Sequence, residues 1–423
     1  MMETVLSRSL RLMFTGSAVV AGLTMLAQPA MAQQNDAPMQ RVEVTGSAIK
    51  RIDGETSVPI TIIKMDDLKK QGITTIEQVM SNLSASQASQ GTSQVVGLGT
   101  GGASFADLRG IGANKTLVLL NGRRMANNAL DSSAPDLNMI PFAALERVEV
   151  LRDGASSLYG SDAVGGVINF ITRKDFQGGI VSIGGDMPEQ SGGFSKNANV
   201  GFGYGDLDKD GFNIFGMLDT QSQRAITGTQ RNYNKRYPGG ISPTTSPANY
   251  YQDDQTGNPT APSCAAGTFL VPSGDGTSCN MSTSNFVDYV PKSKRTTGLL
   301  KGVLKLNANH EISLEYLNSE SKVYSAIAPV PYGGLRQNRT RLDGSPNPFY
   351  PGNGNFTPNI PLNANYVDPN FMPAGVKPGF VNVKWRDLPN GSRADENINK
   401  QQRLVAGLNG NLAGWDYNAA LTF

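Results

Sequence analysis

Histidine is almost absent from this 423-residue sequence, which contains only His310. Serine and cysteine hydrolases place a histidine beside the nucleophile, so a single histidine removes most arrangements of that kind. The only two cysteines, Cys264 and Cys279, together with one histidine also make a poor ligand set for zinc. We therefore expect no catalytic constellation, no metal site and no cofactor, and the sequence predicts a protein that is not an enzyme.

The sequence also has little net charge and few long apolar runs. The formal net charge is only +2, which gives no reason to expect nucleic acid as a partner. Beyond the N-terminus, no window approaches the roughly 18 consecutive apolar residues of a membrane-spanning helix. The stretch GLGTGG has the glycine spacing of a dinucleotide-binding loop, but Asn121 and Gly122 stand where the ribose-binding acid should be. We interpret that spacing as a chance match.

The N-terminus has the pattern of an export signal. Arg8 and Arg11 precede an apolar run, and the AMA motif at residues 30–32 is a typical cleavage site. The alternative, a membrane anchor, is disfavoured because threonine, glycine and serine interrupt the run. We expect a signal peptide over residues 1–32, removed after Ala32, and a disulfide between Cys264 and Cys279 in the oxidising compartment beyond. Closing a loop of about 15 residues would contribute roughly 3 kcal/mol.

Residues 56–174 have a mixed α/β pattern, and residues 175–423 a β pattern. In the first part, extended runs accompany two short helices, one near Asp66 and one begun by a capping box at Thr75 and Gln78. In the second part, seven alternating segments are each long enough to cross a membrane as a β-strand. They are joined by short turns at one end and by long connections, at about 227–292 and 328–398, at the other. This asymmetry is typical of an outer-membrane barrel.

Several motifs resemble the TonB-dependent outer-membrane receptors of Gram-negative bacteria. RVEVTG is similar to their TonB box, and FADLRGIGANKTLVLLNGRRM and IPFAALERVEVLRDGASSLYGSDAVGGVINFITRKD are similar to their plug domain. The resemblance covers about residues 41–174. It implies an α+β plug domain inside a transmembrane antiparallel β-barrel, with residues 33–55 as the TonB-box segment and linker, residues 56–174 as the plug and residues 175–423 as the first part of the barrel. It further implies outer-membrane lipid, TonB with its inner-membrane energising complex and a small-molecule ligand, foremost an iron chelate, as partners.

The resemblance also assigns roles to residues. The TonB-binding segment would pair as an added strand and comprises Val42, Glu43, Val44, Thr45 and Gly46. Two plug loops would face the ligand, with the alternative that their glycines only form turns; they contain Gly97, Leu98, Gly99, Thr100, Gly101, Gly102, Ala126, Asn127 and Asn128. Arg109 and Arg147 match arginines that pair with barrel glutamates and lock the plug, the alternative being solvated charges on an exposed sheet face.

Both long connections are rich in aromatic side chains. Their tyrosines could stack on ligand rings, with Arg336, Arg339 and Arg341 binding acidic groups, or could serve ordinary packing or an interfacial girdle. The tyrosines are Tyr233, Tyr237, Tyr250, Tyr251, Tyr332, Tyr350 and Tyr366.

Seven strands cannot enclose a plug of this size, because a plugged barrel has about 22. We expect the barrel to be incomplete and the sequence to be a fragment or a truncated gene product. The function that the sequence favours is energised uptake of a scarce nutrient, most directly a ferric siderophore-type chelate. A carbohydrate or another organic nutrient is the alternative ligand, and a signalling receptor that does not transport is the alternative class.

Overall fold

The structure is a computed structural model that describes residues 60–86, 100–131, 133–152, 156–232, 240–273, 276–368 and 376–423. Its α-helices in these ranges are α1 (Met65–Lys70), α2 (Ile76–Asn82) and α3 (Ser156–Tyr159). The first strands are β1 (Ile60–Lys64), β2 (Thr116–Leu120), β3 (Arg123–Arg124), β4 (Leu145–Leu151) and β5 (Gly166–Thr172). The later strands are β6 (Gly178–Asp186), β7 (Ser195–Tyr204), β8 (Phe212–Gln223), β9 (Ile226–Thr227), β10 (Ile241–Ser242), β11 (Asn249–Gln252), β12 (Gln255–Gly257), β13 (Thr268–Ser273), β14 (Gly276–Ser282), β15 (Asp288–Val290), β16 (Lys292–Asn307), β17 (His310–Ile327), β18 (Pro331–Gln337), β19 (Val381–Arg386), β20 (Arg393–Leu412) and β21 (Trp415–Thr422).

We call residues 56–174, the predicted plug, the plug segment. Its described residues fold around a mixed sheet of strand order β1-β4-β5-β2-β3. β2 and β5 are parallel, whereas β1 pairs with β4, and β4 with β5, in antiparallel fashion. Every side chain of β2 is buried, as its uninterrupted TLVLL sequence predicts for a strand covered on both faces. The run SFADLRG, expected to be extended, contributes only an isolated bridge between Ser86 and Leu108.

Two of the helices of the plug segment, α1 and α2, follow from local sequence signals. Thr75 accepts a hydrogen bond from the backbone N–H of Gln78, and the Gln78 side chain accepts from the backbone N–H of Thr75, so the expected capping box is present at α2. α1 is stopped by Gly72, which has a φ of 77°. The apolar side chains of both helices, among them Leu68, Ile76 and Val79, enter one core with those of the sheet.

The second part of the chain forms one antiparallel sheet of seven strands, in the order β21-β20-β17-β16-β8-β7-β6. These are the seven strands that the alternating segments predict, although β20 begins at Arg393 rather than near Gln401. The sheet is open, since neither β6 nor β21 pairs with a further strand among the described residues. The incomplete barrel expected from the strand count is confirmed.

Side chains alternate strictly between the two faces of this sheet. Along β16 the odd-numbered residues from Ser293 to Val303 are buried against the plug segment, and we call that side the inner face. The outer face carries exposed apolar side chains, which include Val200, Phe202, Ile214, Leu218, Leu300, Leu304, Ile312, Leu314, Leu404 and Leu408. An apolar exterior and a polar interior are the arrangement of a strand that crosses a membrane. No helix within the described residues is both long and apolar enough to cross one.

The connections at one end of the sheet are tight turns, and those at the other end are long. The long connections are not plain loops, because each contains strands and they share a four-stranded sheet of order β12-β11-β19-β18. Within it, β11 of the first connection pairs with β19 of the second. A disulfide joins Cys264 to Cys279, with 5.7 Å between their Cα atoms. The two connections therefore form one folded cap at this end of the sheet.

Candidate functional site

A buried carboxylate, Glu315, occupies the centre of the contact between the seven-stranded sheet and the plug segment. Its Oε1 accepts a hydrogen bond from Arg403 Nη1 at 2.6 Å, and its Oε2 accepts one from Asn121 Nδ2 at 2.5 Å. Lys301 Nζ lies 4.0 Å from Oε2. The side chains of Glu315 and Arg403 are only 7% and 4% exposed. One plug residue thus joins a charged cluster that belongs to the sheet.

Strand register brings these charges together. Lys301 lies directly opposite Glu315 in the β16–β17 ladder, and Arg403 lies opposite Leu317 in the β17–β20 ladder. All are at odd-numbered positions, which point to the inner face. Opposite charges at direct and diagonal cross-strand positions stabilise each other, and here they do so where water is largely excluded.

Asn121 reaches Glu315 from the turn between β2 and β3. Its φ of 53° is left-handed, a conformation that asparagine tolerates better than most residues, and Gly122 follows with a φ of 73°. The side-chain Oδ1 of Asn121 accepts from the backbone N–H of Thr172 at 2.9 Å, so the turn is tied to β5 as well. The sequence predicts this turn but does not show that its asparagine contacts the sheet.

Further polar contacts surround this cluster. Lys301 Nζ donates to Thr172 Oγ1 at 2.8 Å and to the carbonyl of Arg173 at 3.2 Å. Lys174 Nζ forms an ion pair of 2.7 Å with Glu311. We call Asn121, Thr172, Lys301, Glu315 and Arg403 the seat cluster, because they join the ends of plug strands β2 and β5 to the inner face of the seven-stranded sheet.

Arg109 and Arg147 are predicted to lock the plug to the barrel. In the structure, they contact residues of the plug segment. Arg147 forms ion pairs with Glu149 at 2.8 Å and with Glu146 at 2.9 Å. Glu149 is two residues further along the same strand and therefore on the same face. Arg109 donates to the carbonyl of Arg152. Pairing of either arginine with a barrel glutamate stays a prediction. The charged residues that contact the plug segment from the sheet are Lys301 and Glu315, with Arg403 paired to Glu315, and sequence reasoning missed them. The feature of the sequence that could have revealed them is a charged residue at an inward position of an alternating strand.

The predicted ligand-facing loops lie at the opposite end of the contact, toward the long connections. A Cβ atom added to Gly102 would come 2.6 Å from a methyl carbon of Val323, near the end of β17. A Cβ atom added to Gly101 would come 2.8 Å from Leu130 of the second loop and 3.3 Å from Asn397 of β20. Thr100, Gly101 and Gly102 therefore lie beside the second loop and against the inner wall. Gly97, Leu98 and Gly99 lie outside the described residues, as do Val42 to Gly46.

The second loop divides into exposed and buried parts. Ala126 and Asn127 are exposed, whereas Asn128 is only 5% exposed. The side-chain Oδ1 of Asn128 accepts from the backbone N–H of Leu130 at 2.8 Å, so this side chain shapes the loop from within. Ala126 and Asn127 remain predicted ligand contacts, and the geometry assigns Asn128 a structural role.

A buried aspartate joins the bases of the two loops. Asp136 Oδ1 accepts from the backbone N–H groups of Ser104 and Asn138, both at 3.0 Å, and the residue is 3% exposed. Burial raises the pKa of Asp136, while the two hydrogen bonds and the positive charge of Arg295 on β16 oppose that rise. One buried carboxylate thus links the backbone at the base of one loop to the backbone at the base of the other.

Several tyrosines predicted as ligand contacts are instead packing residues. Tyr250 and Tyr350 belong to the core of the cap and are 3% and 4% exposed. Their hydroxyls donate to Asn359 Oδ1 at 2.6 Å and to the carbonyl of Gly379 at 2.7 Å. Tyr366 is buried too, whereas Tyr332 is exposed and stacks on Trp385 with 5.5 Å between ring centroids. Tyr233 and Tyr237 lie outside the described residues.

Comparison with known proteins identifies the plug segment. Residues 53–167 match the family described as TonB-dependent Receptor Plug Domain. The chain is 32% identical over 165 residues to an iron-regulated outer membrane virulence protein of Vibrio cholerae, which is 38% of this chain and 24% of that protein. It is 33% identical over 172 residues to the vitamin B12 transporter BtuB of Vibrio cholerae, covering 40% of this chain and 27% of the transporter. The matched region thus spans about a quarter of each relative's length.

Solved structures resemble the chain over a larger share of its length. The ferric enterobactin receptor PfeA of Pseudomonas aeruginosa aligns with a TM-score of 0.44 at 16% identity, over 86% of this chain and 48% of the receptor. The siderophore receptor PirA of Pseudomonas aeruginosa aligns with a TM-score of 0.36 at 14% identity, over 87% of this chain and 50% of that one.

Proposed function

We propose that this chain, whose residues 53–167 match the family of TonB-dependent receptor plug domains, belongs to an outer-membrane receptor that takes up a scarce nutrient with energy delivered through TonB. Its place is the outer membrane of a Gram-negative bacterium, as for its outer-membrane relatives. The main observation behind this proposal is that the plug segment packs against the inner face of an open antiparallel sheet and that the outer face of this sheet is apolar.

The ligand that we propose is a ferric siderophore-type chelate. The iron-regulated Vibrio cholerae relative supports this choice by its name, and the vitamin B12 transporter shows that plugs of similar sequence serve other ligands. Uptake of a carbohydrate or another organic nutrient is the alternative. Growth of a deletion strain on single iron chelates, on cobalamin and on glycans separates these ligands, since loss of growth on one source alone identifies it.

TonB is the proposed energy partner, through Val42 to Gly46. We expect deletion of these five residues from the full-length protein to abolish uptake and to leave binding of the ligand at the cell surface unchanged. Deletion of the five residues 33–37 from the polar segment before the box is the matched control and should leave uptake intact. Unimpaired uptake after the first deletion would contradict the proposal. A receptor that only signals would show no uptake in any strain.

The proposal assigns no enzymatic activity to the chain. The relatives are named as a transporter and an outer-membrane protein. Within the described residues, no group of three or more histidine, cysteine, aspartate or glutamate side chains could hold a metal ion.

A further inference from the structure

A buried arginine, Arg295, lies on the inner face of β16 and finds no charged partner on the described part of the sheet. It is only 9% exposed, and its Nε is buried without a hydrogen-bond acceptor among the described residues. Register places Gln221 of β8 on one side of it and Ser321 of β17 on the other, and both are uncharged. A buried charge is costly unless an opposite charge compensates it, so the counter-charge of Arg295 has to come from the plug segment.

The plug segment presents Asp136 to this part of the wall. Asp136 directly precedes the short 3₁₀ turn Leu137–Met139, and the carbonyl of Met139 accepts a hydrogen bond from Ser319 Oγ at 2.8 Å. Ser319 is diagonal to Arg295 in the β16–β17 ladder, so the turn is fixed to the wall beside Arg295. Oδ1 of Asp136 holds the two loop bases, whereas its Oδ2 is buried without a hydrogen-bond donor in the described part of the chain.

Opposite charges therefore meet at this contact, one from each side. The positive charge of Arg295 favours the ionised form of Asp136. A second carboxylate, Glu77 in the first turn of α2, also interacts electrostatically with Arg295, but its side chain is half-buried. Water screens a half-buried charge more strongly than a buried one, so Asp136 is the stronger counter-charge.

We propose that Arg295 is the counter-charge of Asp136 and that this pair positions both predicted ligand-facing loops against the barrel wall. No hydrogen bond joins Asp136 Oδ2 to Arg295 Nε, so the two groups act on each other through their charges, which interact more strongly in a buried contact than in water. An ionised carboxylate also accepts backbone N–H groups more strongly than a neutral one. Arg295 is thus a positioning residue. The inference rests on the proposed function only in treating these loops as ligand-facing.

The test measures opening of the two loops by hydrogen exchange of the full-length receptor in detergent, corrected for the intrinsic exchange rate at each pH. Peptides that cover residues 100–106 and 133–140 contain the two amides that Asp136 holds. We expect Arg295→Gln to raise their opening about tenfold near pH 7, the factor that corresponds to about one unit in the pKa of Asp136. At about pH 3.5, where the raised pKa of Asp136 leaves its carboxyl protonated, the same substitution should have no effect.

Three control variants separate charge from packing. Arg295→Lys keeps the positive charge and should leave opening close to that of the wild type. Lys294→Gln removes an exposed charge from the next residue of the same strand and should leave it unchanged at both pH values. In an Asp136→Asn background, Arg295→Gln should no longer raise the opening, because the partner of its charge is already gone.

An equal increase at both pH values would show that Arg295 only fills space, and it would overturn the proposal, as would unchanged exchange in Arg295→Gln. Arg295→Met replaces the buried charge by an apolar chain of similar length and is the second variant if Arg295→Gln does not fold, with the same contrast between the two pH values. Binding and uptake of the nutrient are measured separately and report on the proposed function, since loop exchange is followed without a ligand.

Discussion

Glu315→Ala should loosen the plug from the barrel wall more than any exposed charge change does. The substitution removes the acceptor for Arg403 and Asn121 and leaves two buried cations, Lys301 and Arg403, without their carboxylate. Breaking a buried ion pair from one side costs about 3 to 5 kcal/mol. Lys301 keeps its hydrogen bonds to Thr172 and to the carbonyl of Arg173, so we expect the lower end, about 3 kcal/mol, or roughly a 100-fold larger opening constant.

Hydrogen exchange of the full-length protein measures this opening directly. Peptides that cover residues 116–124 and 166–172 contain the turn of Asn121 and strand β5, which the seat cluster fixes. Glu320→Ala is the control, because Glu320 is on the same strand but on the outer face, in a half-exposed pair with Lys400. Such a pair contributes at most about 1 kcal/mol. Equal exchange of these peptides in the two variants would refute the role of the seat cluster.

Three further changes test other parts of the structure. Thr75→Ala removes one half of the capping box at α2 and should lower the free energy of unfolding of the plug by about 1 kcal/mol in a urea titration, with Thr75→Ser, which keeps the hydroxyl acceptor, as the control. Because burial raises the pKa of Asp136, the folded plug binds that proton more tightly than the unfolded chain, so Asp136 costs stability as the pH rises above its ordinary value of 3.8. Asp136→Asn, which keeps an acceptor for both amides, should flatten this loss, and an unchanged pH profile of unfolding would contradict it. Cys264→Ser/Cys279→Ser opens a crosslink across 15 residues and should cost the cap about 3 kcal/mol, seen as faster proteolysis within residues 240–290 while the strands of the barrel stay resistant.

The sequence predicts best those features that depend on near neighbours. The capping box at Thr75, the turn at Asn121 and the alternation along β16 each follow from residues within one element, and each is present. The contacts of Arg109 and Arg147 depend on which face of the plug sheet meets the barrel, and no local pattern contains that information. The cap was missed for the same reason, since β11 and β19 pair across more than a hundred residues.

The seat cluster could have been found by one further physical step. Lys301, Glu315 and Arg403 alternate with apolar outward neighbours such as Leu300, Leu314 and Leu404, so their side chains point to the interior. A charge that faces the inside of a barrel needs a partner. The sequence indicates that these three residues need partners inside. Only the structure shows that they pair with one another and contact uncharged groups of the plug segment, the side chains of Asn121 and Thr172 and the carbonyl of Arg173.

Under the proposed function, TonB would pull on the plug, and the strand order determines which strand the force reaches first. Force applied at residues 42–46 reaches β1 first, and β1 is an edge strand that pairs only with β4 among the described strands. Separating β1 from β4 breaks no strand pairing of β5 or β2, whose ends carry Thr172 and the Asn121 turn of the seat cluster. Extracting the whole plug would also expose Phe215, Leu299 and Leu317 of the seven-stranded sheet. These side chains belong to the same buried cluster as the plug core. Separation of an edge strand exposes less apolar surface than extraction of the domain, so on the proposed function we expect a pulling force to separate β1 before it dislodges the seat cluster.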